Sequence, residues 1–232
     1  MKILLLVAGT NSPSNTLTLA QTFAEGIQRV DGAETEILRL KDLAIEHFTL
    51  QYYKKACGTH DDFCMLQEKI ERADGIVIAS PVWNFSVPGH LKNVIDRIGA
   101  FGLDEATHSK GQFNGKPFFF LFAGGAPMIA WKALMSITTL HVSEAMKYYG
   151  ATVVGRDFEP KAMPGKGHFG LVVNERPKTL SRMRKKGELF ARVVEHFRTS
   201  GRFPLLLRVR SGAYTWVTRI GNRLIYPVSS QH

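Results

Sequence analysis

Cysteine is scarce: Cys57 and Cys64 are the only two in 232 residues. Two thiols do not make the disulfide framework of a small secreted domain, and reduced thiols in a cytoplasmic protein are the expectation. Long apolar runs are missing as well. The longest charge-free apolar stretch, residues 117–131, is broken by Gly124-Gly125 and by Pro127. It falls below the roughly 18 residues that suggest a membrane span. The run after Met1-Lys2 lasts only from Ile3 to Ala8 before Gly9, too short for the core of a signal peptide, and reads as a buried strand. There is no internal repeat and no low-complexity segment. No Ser-His-Asp or Cys-His set is placed for nucleophilic catalysis, and the histidines, His90 and His141 among them, have no ligand spacing.

The body of the chain also lacks net charge. Of 30 Lys and Arg, 13 lie in residues 175–232 together with 3 Glu, so the first 174 residues carry 17 basic and 17 acidic side chains. The whole excess of +10 therefore belongs to the tail. Such a tail is either a solvated helix face or suits an acidic partner, such as a lipid surface, nucleic acid or another subunit. Composition thus divides the chain into residues 1–174 and a basic amphipathic extension, 175–232.

What is present is an alternation of short apolar runs and helical patterns. Lys2–Val7 is uninterrupted, as a parallel strand buried on both faces should be. Ser14, Asn15 and Thr16 are N-cap residues for a helix to about Val30. Residues 35–40 alternate as a second strand, and Asp61 and Asp62 open a second helix with acidic side chains at the positive end of its dipole. Residues 75–80 form a third buried strand, and Pro88-Gly89 lead into a third helix to about Ile98. Residues 101–115 read as an irregular connection. Pro117–Ala123 is a fourth strand, Pro127 and Gly150 bracket a fourth helix, and residues 151–158 make a fifth strand. In the extension, Leu189, Phe190, Val193, Val194 and Phe197 fall on one helical face, and Leu205 to Leu207 and Trp216 call for burial. Strands alternating with helices predict a parallel sheet covered on both sides, with right-handed crossovers.

Two loops carry the chemistry. Gly9-Thr10-Asn11-Ser12-Pro13-Ser14-Asn15-Thr16 joins the first strand to the first helix. Unpaired N–H groups and a partial positive charge at a helix start suit a phosphate, and Thr10, Ser12, Ser14, Asn15 and Thr16 add small polar groups. The loop has no lysine, so it is not a Walker P-loop. The second loop follows the third strand: Ser80-Pro81-Val82-Trp83-Asn84-Phe85-Ser86-Val87-Pro88-Gly89, continuing through His90-Leu91-Lys92-Asn93-Val94-Ile95-Asp96. Two prolines stiffen it. Trp83 and Phe85 offer flat apolar surfaces, and free backbone groups between them suit the edge of a heterocycle.

Residues 80–96 resemble the flavin-binding stretch of the NAD(P)H-dependent FMN reductase family, S-P-x-Y-N-x-S-x-P-G-x-L-K-N-x-I-D. Trp83 stands where that family usually has Tyr. Residues 9–16 resemble its phosphate loop, with Thr10 for the usual Ser and without its common Arg. The resemblance covers about residues 1–160. It implies a flavodoxin-like doubly wound sandwich with a five-stranded parallel sheet in the order 2-1-3-4-5, bound FMN, and a homodimer or tetramer. In that order the loops after strands one and three meet at the switch point. Pro81, Val82, Trp83, Asn84 and Phe85 then face the flavin, and Ala123, Gly124 and Gly125, after strand four, approach its pyrimidine side.

The resemblance further implies hydride transfer from NADPH or NADH to the flavin and onward to a quinone, flavin or similar small acceptor, with no catalytic side chain beyond the flavin-borne chemistry. Backbone donors near the ring would stabilise its reduced form. The alternative class is a flavodoxin-type electron carrier with a protein redox partner. The related iron–sulfur flavoproteins carry a cysteine cluster before a similar Asp-Asp helix start. Two cysteines do not supply the four thiolates such a cluster needs, so no metal is expected. Gly165-Lys166-Gly167-His168-Phe169-Gly170 fits G-x-G-x-x-G but follows Pro164 rather than a strand. It reads as a loop able to cover the flavin, not as a dinucleotide fingerprint. The extension either rests on an anionic membrane or packs across a dimer; nucleic acid is not expected.

Overall fold

Five parallel strands, β1 (Lys2–Val7), β2 (Glu34–Arg39), β3 (Gly75–Pro81), β4 (Pro117–Ala123) and β5 (Thr152–Glu159), hydrogen-bond in the order β2-β1-β3-β4-β5. This is the expected flavodoxin-like sheet. The computed structural model describes residues 1–54, 61–106, 111–165, 168–205 and 207. The helices are α1 (Asn15–Ile27), α2 (Phe63–Arg72), α3 (Gly89–Gly102), α4 (Leu140–Tyr148) and α5 (Pro177–Ser200).

The unbroken apolar strands follow from burial on both faces. Along β4 successive side chains enter opposite layers. Phe118, Phe120 and Phe122 join α2, α3 and α4 through Phe63, Leu66, Leu91, Ile95 and Met146. Phe119 and Leu121 join α1 and α5 through Phe23, Ile27, Met183, Phe190 and Val194.

The change of composition at Glu175 is not a change of packing. α5 lies against α1 so closely that a Cβ on Gly26 would fall 1.9 Å from the Arg184 carbonyl oxygen. A Cβ on Gly187 would fall 2.0 Å from that of Phe23. The buried residues of α5 are Thr179, Met183, Gly187, Phe190, Ala191 and Val194. The expected face was thus rotated: Leu189 is exposed, because the helix turns its glycine, not its leucine, toward α1. Several of its cations are neutralised within the chain. Arg176 and Arg182 bind Glu159 at 2.7 and 2.6 Å, Lys186 binds Asp157 at 2.9 Å, and Arg184 binds Glu25 at 2.6 Å. Beyond α5, Leu205 is exposed rather than buried; Trp216 lies outside the described residues.

Two further expectations need correction. The fourth helix is not continuous between Pro127 and Gly150. Met128–Ala130 is followed by a π-helical turn, Trp131–Met135, a short turn at Ser136–Thr138, and then α4. The interruption has a local cause. Thr138 and Thr139 hydroxyls donate back to the Met135 and Ser136 carbonyls, and Arg156 from β5 donates to the Ser136 carbonyl at 2.8 Å, diverting groups the helix ladder would use. Second, Cys64 is disulfide-bonded rather than a reduced thiol; the sequence's other cysteine, Cys57, lies outside the described residues. Asp61 and Asp62 open α2 as expected, with Asp62 its N-cap, and their carboxylates also hold named partners. Asp62 accepts the Ala44 N–H at 2.8 Å, and Asp61 accepts the Phe63 N–H and forms a fully buried ion pair with Arg97. No helix among the described residues is long and apolar enough to cross a membrane.

Candidate active site

A cavity of about 460 Å³ opens at the carboxyl end of the sheet, where the connections after β1, β3, β4 and β5 meet. Its first wall is the loop at residues 9–16. Gly9 admits no side chain, since a Cβ would sit 2.9 Å from Ser14 Oγ and 3.0 Å from Thr16 Cβ. Ser14 is the N-cap of α1: its Oγ accepts the Leu17 N–H at 3.2 Å and its carbonyl the Thr18 N–H at 3.0 Å. The N–H groups of Asn15 and Thr16 are left without a helical acceptor. Ser14, Asn15 and Thr16 line the cavity as expected; Thr10 and Ser12 do not, and Gly9 and Asn11 stand in their place.

The side chain of Asn15 is committed elsewhere. Its Nδ2 donates to the carbonyls of Ala162 (3.1 Å) and Gly170 (2.7 Å), and its Oδ1 accepts from the N–H groups of Val172 (2.9 Å) and Val173 (3.1 Å). It is a clamp on the chain that leaves β5, and only its backbone N–H remains for a ligand. Arg39, at the end of β2, donates from Nη2 to the carbonyls of Gly9 and Asn11.

The second wall comes from the loop after β3. Trp83 and Ser86 exchange backbone hydrogen bonds at 2.8 and 2.9 Å around Asn84 (φ 48°) and Phe85 (φ 66°), both left-handed. Two such residues inside a two-residue turn define a type I′ geometry, costly for a bulky phenylalanine. Strain of this kind gathers at functional sites. Pro81, Val82, Trp83 and Asn84 line the cavity, whereas Phe85 is exposed and does not. The segment that follows is anchored residue by residue. His90 Nε2 bonds the Ala8 carbonyl at 2.8 Å, tying α3 to the end of β1. Leu91 is core, Lys92 pairs with Asp96, and Asn93 Oδ1 accepts the Phe48 N–H at 2.7 Å.

The third wall is Ala123, Gly124 and Gly125, all lining the cavity. The glycines first make room for protein. A Cβ on Gly124 would lie 3.2 Å from the Phe158 ring, and one on Gly125 2.6 Å from Met163 Sδ. Gly124 also accepts the Ala162 N–H at 2.9 Å. Ala162, Met163 and Phe169 complete the lining. The first two carried no signal in the sequence, because bonds from Asn15 and Gly124, both distant along the chain, bring them here. Phe169 belongs to the Gly-rich stretch read as a cover; Lys166 and Gly167 of that stretch lie outside the described residues.

The family model for NADPH-dependent FMN reductases matches residues 1–158. The chain belongs to that family. An iron-sulfur flavoprotein of Archaeoglobus fulgidus is 38% identical over 96 residues, 40% of this chain and 47% of the relative. This chain therefore spans about half the length of that relative. An FMN-dependent NADH:quinone oxidoreductase of Clostridium botulinum is 25% identical over 177 residues, 65% of this chain and 82% of the relative. Among solved structures, an NAD(P)H:quinone oxidoreductase from Methanothermobacter marburgensis shares the fold with a TM-score of 0.62 at 20% identity, covering 81% of this chain and 94% of that one.

Membership in the FMN reductase family can be tested against the donor set. FMN needs an anion site at one end and a flat, mostly apolar slot with backbone polar groups at the other. Open N–H groups at α1 beside Gly9 meet the first need. Pro81, Val82, Trp83 and the side-chain-free Gly124-Gly125 backbone meet the second. The residues fit the cofactor. Among the described residues no group of His, Cys, Asp and Glu is placed to hold a metal ion.

Proposed function

We propose that this protein is an FMN-dependent NAD(P)H oxidoreductase that passes hydride to a quinone, flavin or similar small acceptor. The observation that carries the reading is the meeting, in one cavity, of the α1 N-terminus and the strained Trp83–Ser86 turn. Bound flavin supplies the hydride chemistry. The protein supplies position. The N–H groups of Asn15 and Thr16 hold the phosphate, and the half-buried Trp83, with Pro81 and Val82, flanks the ring. The backbone at Asn84, Gly124 and Gly125 offers polar groups for its edge, where fixed donors favour developing negative charge. Met163 and Phe169 narrow the mouth and limit water.

The exposed Ile129, Leu134, Ile137 and Tyr148 along the broken fourth helix support an oligomer, as a homodimer or tetramer. The paired cations of α5 need no outside partner, and an anionic surface is proposed only for the arginines beyond Ser200.

Purified protein should be yellow and should bleach anaerobically with NADH or NADPH, with colour returning on addition of a quinone. Absence of flavin binding even with added FMN would sink the reading. Bound FMN reduced by a reductase protein but by neither nicotinamide would replace it with the electron-carrier alternative.

A further inference from the structure

Arg39 closes β2 beside Val7 of β1, at the same end of the sheet as the cavity. Its Nη2 donates to the carbonyls of Gly9 at 3.3 Å and Asn11 at 2.9 Å, two residues of the cavity wall. In a trans peptide the C=O and the following N–H point to opposite sides. Fixing these two carbonyls on Arg39 therefore turns the N–H groups of Thr10 and Ser12 away from the guanidinium. Thr10 and Ser12 then serve through their backbone rather than through the hydroxyls that mark them in the sequence.

Arg39 is also short of partners. Its Nε is buried without a hydrogen bond. Among the described residues no carboxylate pairs with it. A half-buried cation balanced only by carbonyl dipoles favours an anion nearby. The loop at residues 9–16 and the first turn of α1 carry no charged side chain, so the charge at this wall comes from β2.

We propose that Arg39 gives the cavity its preference for a phosphorylated flavin. It is a positioning residue that holds the 9–12 turn and supplies the positive charge that turn lacks. The proposal rests on the flavin reading above. It is tested by stripping flavin from the full-length wild type, Arg39→Gln and Arg39→Lys, and titrating each with FMN and with riboflavin, which lacks the phosphate.

Arg39→Gln is expected to weaken FMN about tenfold or more, the scale of a lost charge-assisted contact, and to leave riboflavin nearly unchanged. Arg39→Lys should regain most of the FMN affinity. A second reading needs no variant: raising salt from about 0.05 to 0.5 M should weaken FMN relative to riboflavin in the wild type. Equal weakening of both flavins in Arg39→Gln, no change in either, or a wild-type FMN-to-riboflavin ratio indifferent to salt overturns the role of Arg39 alone. A wild type that binds neither flavin overturns the flavin reading with it.

Discussion

Asn15 carries more of the site than its place in a phosphate loop suggests. One amide closes four hydrogen bonds to residues 162, 170, 172 and 173 and so carries Met163 and Phe169 to the cavity. Asn15→Ala leaves two N–H groups and two carbonyls without that partner and should cost about 2–3 kcal/mol in denaturant unfolding, with weaker flavin binding. An unchanged midpoint would show that the clamp is dispensable. Tyr149 makes a pH prediction. Burial raises the pKa of its phenol well above the ordinary value of 10.0, and its hydroxyl donates to the Ile95 carbonyl. The folded chain keeps this proton where the unfolded chain has lost it, so the contribution is full below about pH 10 and is lost as pH rises further. Tyr149→Phe should flatten that alkaline decline in thermal melts; a decline of undiminished slope would contradict it.

At the level of elements, the strands were readable because burial on both faces writes itself as an uninterrupted apolar run; β1 and β4 begin and end where the sequence reading placed them. The helix before Gly150 was misread because its interruption is made partly by Arg156, which arrives from another strand. The face of α5 was misread for a related reason: its tightest contact is a glycine, which hydrophobic periodicity cannot see. Gly187→Ala should therefore destabilise the chain by at least about 1–3 kcal/mol, because its Cβ would meet the Phe23 carbonyl at 2.0 Å. Gly89→Ala, with nothing within 4 Å of its Cβ and no positive φ, is the control and should be close to neutral. Similar unfolding midpoints for the two would refute the close α1–α5 contact.

At the level of the whole molecule, a cut where the charge changes should unfold the chain. Burial of Met183, Phe190 and Val194 under the sheet stabilises by roughly 1.5–3 kcal/mol per side chain. Together that is comparable with the net stability of about 5–15 kcal/mol of a typical domain. A chain ending at residue 174 should fail to show a cooperative melt, and one ending at residue 207 should keep it; a folded 1–174 chain would return the boundary to Glu175.

The sequence by itself determined the alternation of strands and helices through local periodicity, and the contiguous motif at residues 80–96 carried the family resemblance that implied the strand order and the meeting of the loops after β1 and β3. Only the tertiary structure decided that the Asn15 side chain is a clamp on the chain after β5, that Phe85 stays outside the cavity, that Ala162 and Met163 belong to its walls, and that Arg39 braces one wall through the Gly9 and Asn11 carbonyls. Those assignments depend on hydrogen bonds between residues up to 158 positions apart, and no pattern within a loop encodes a partner that far along the chain.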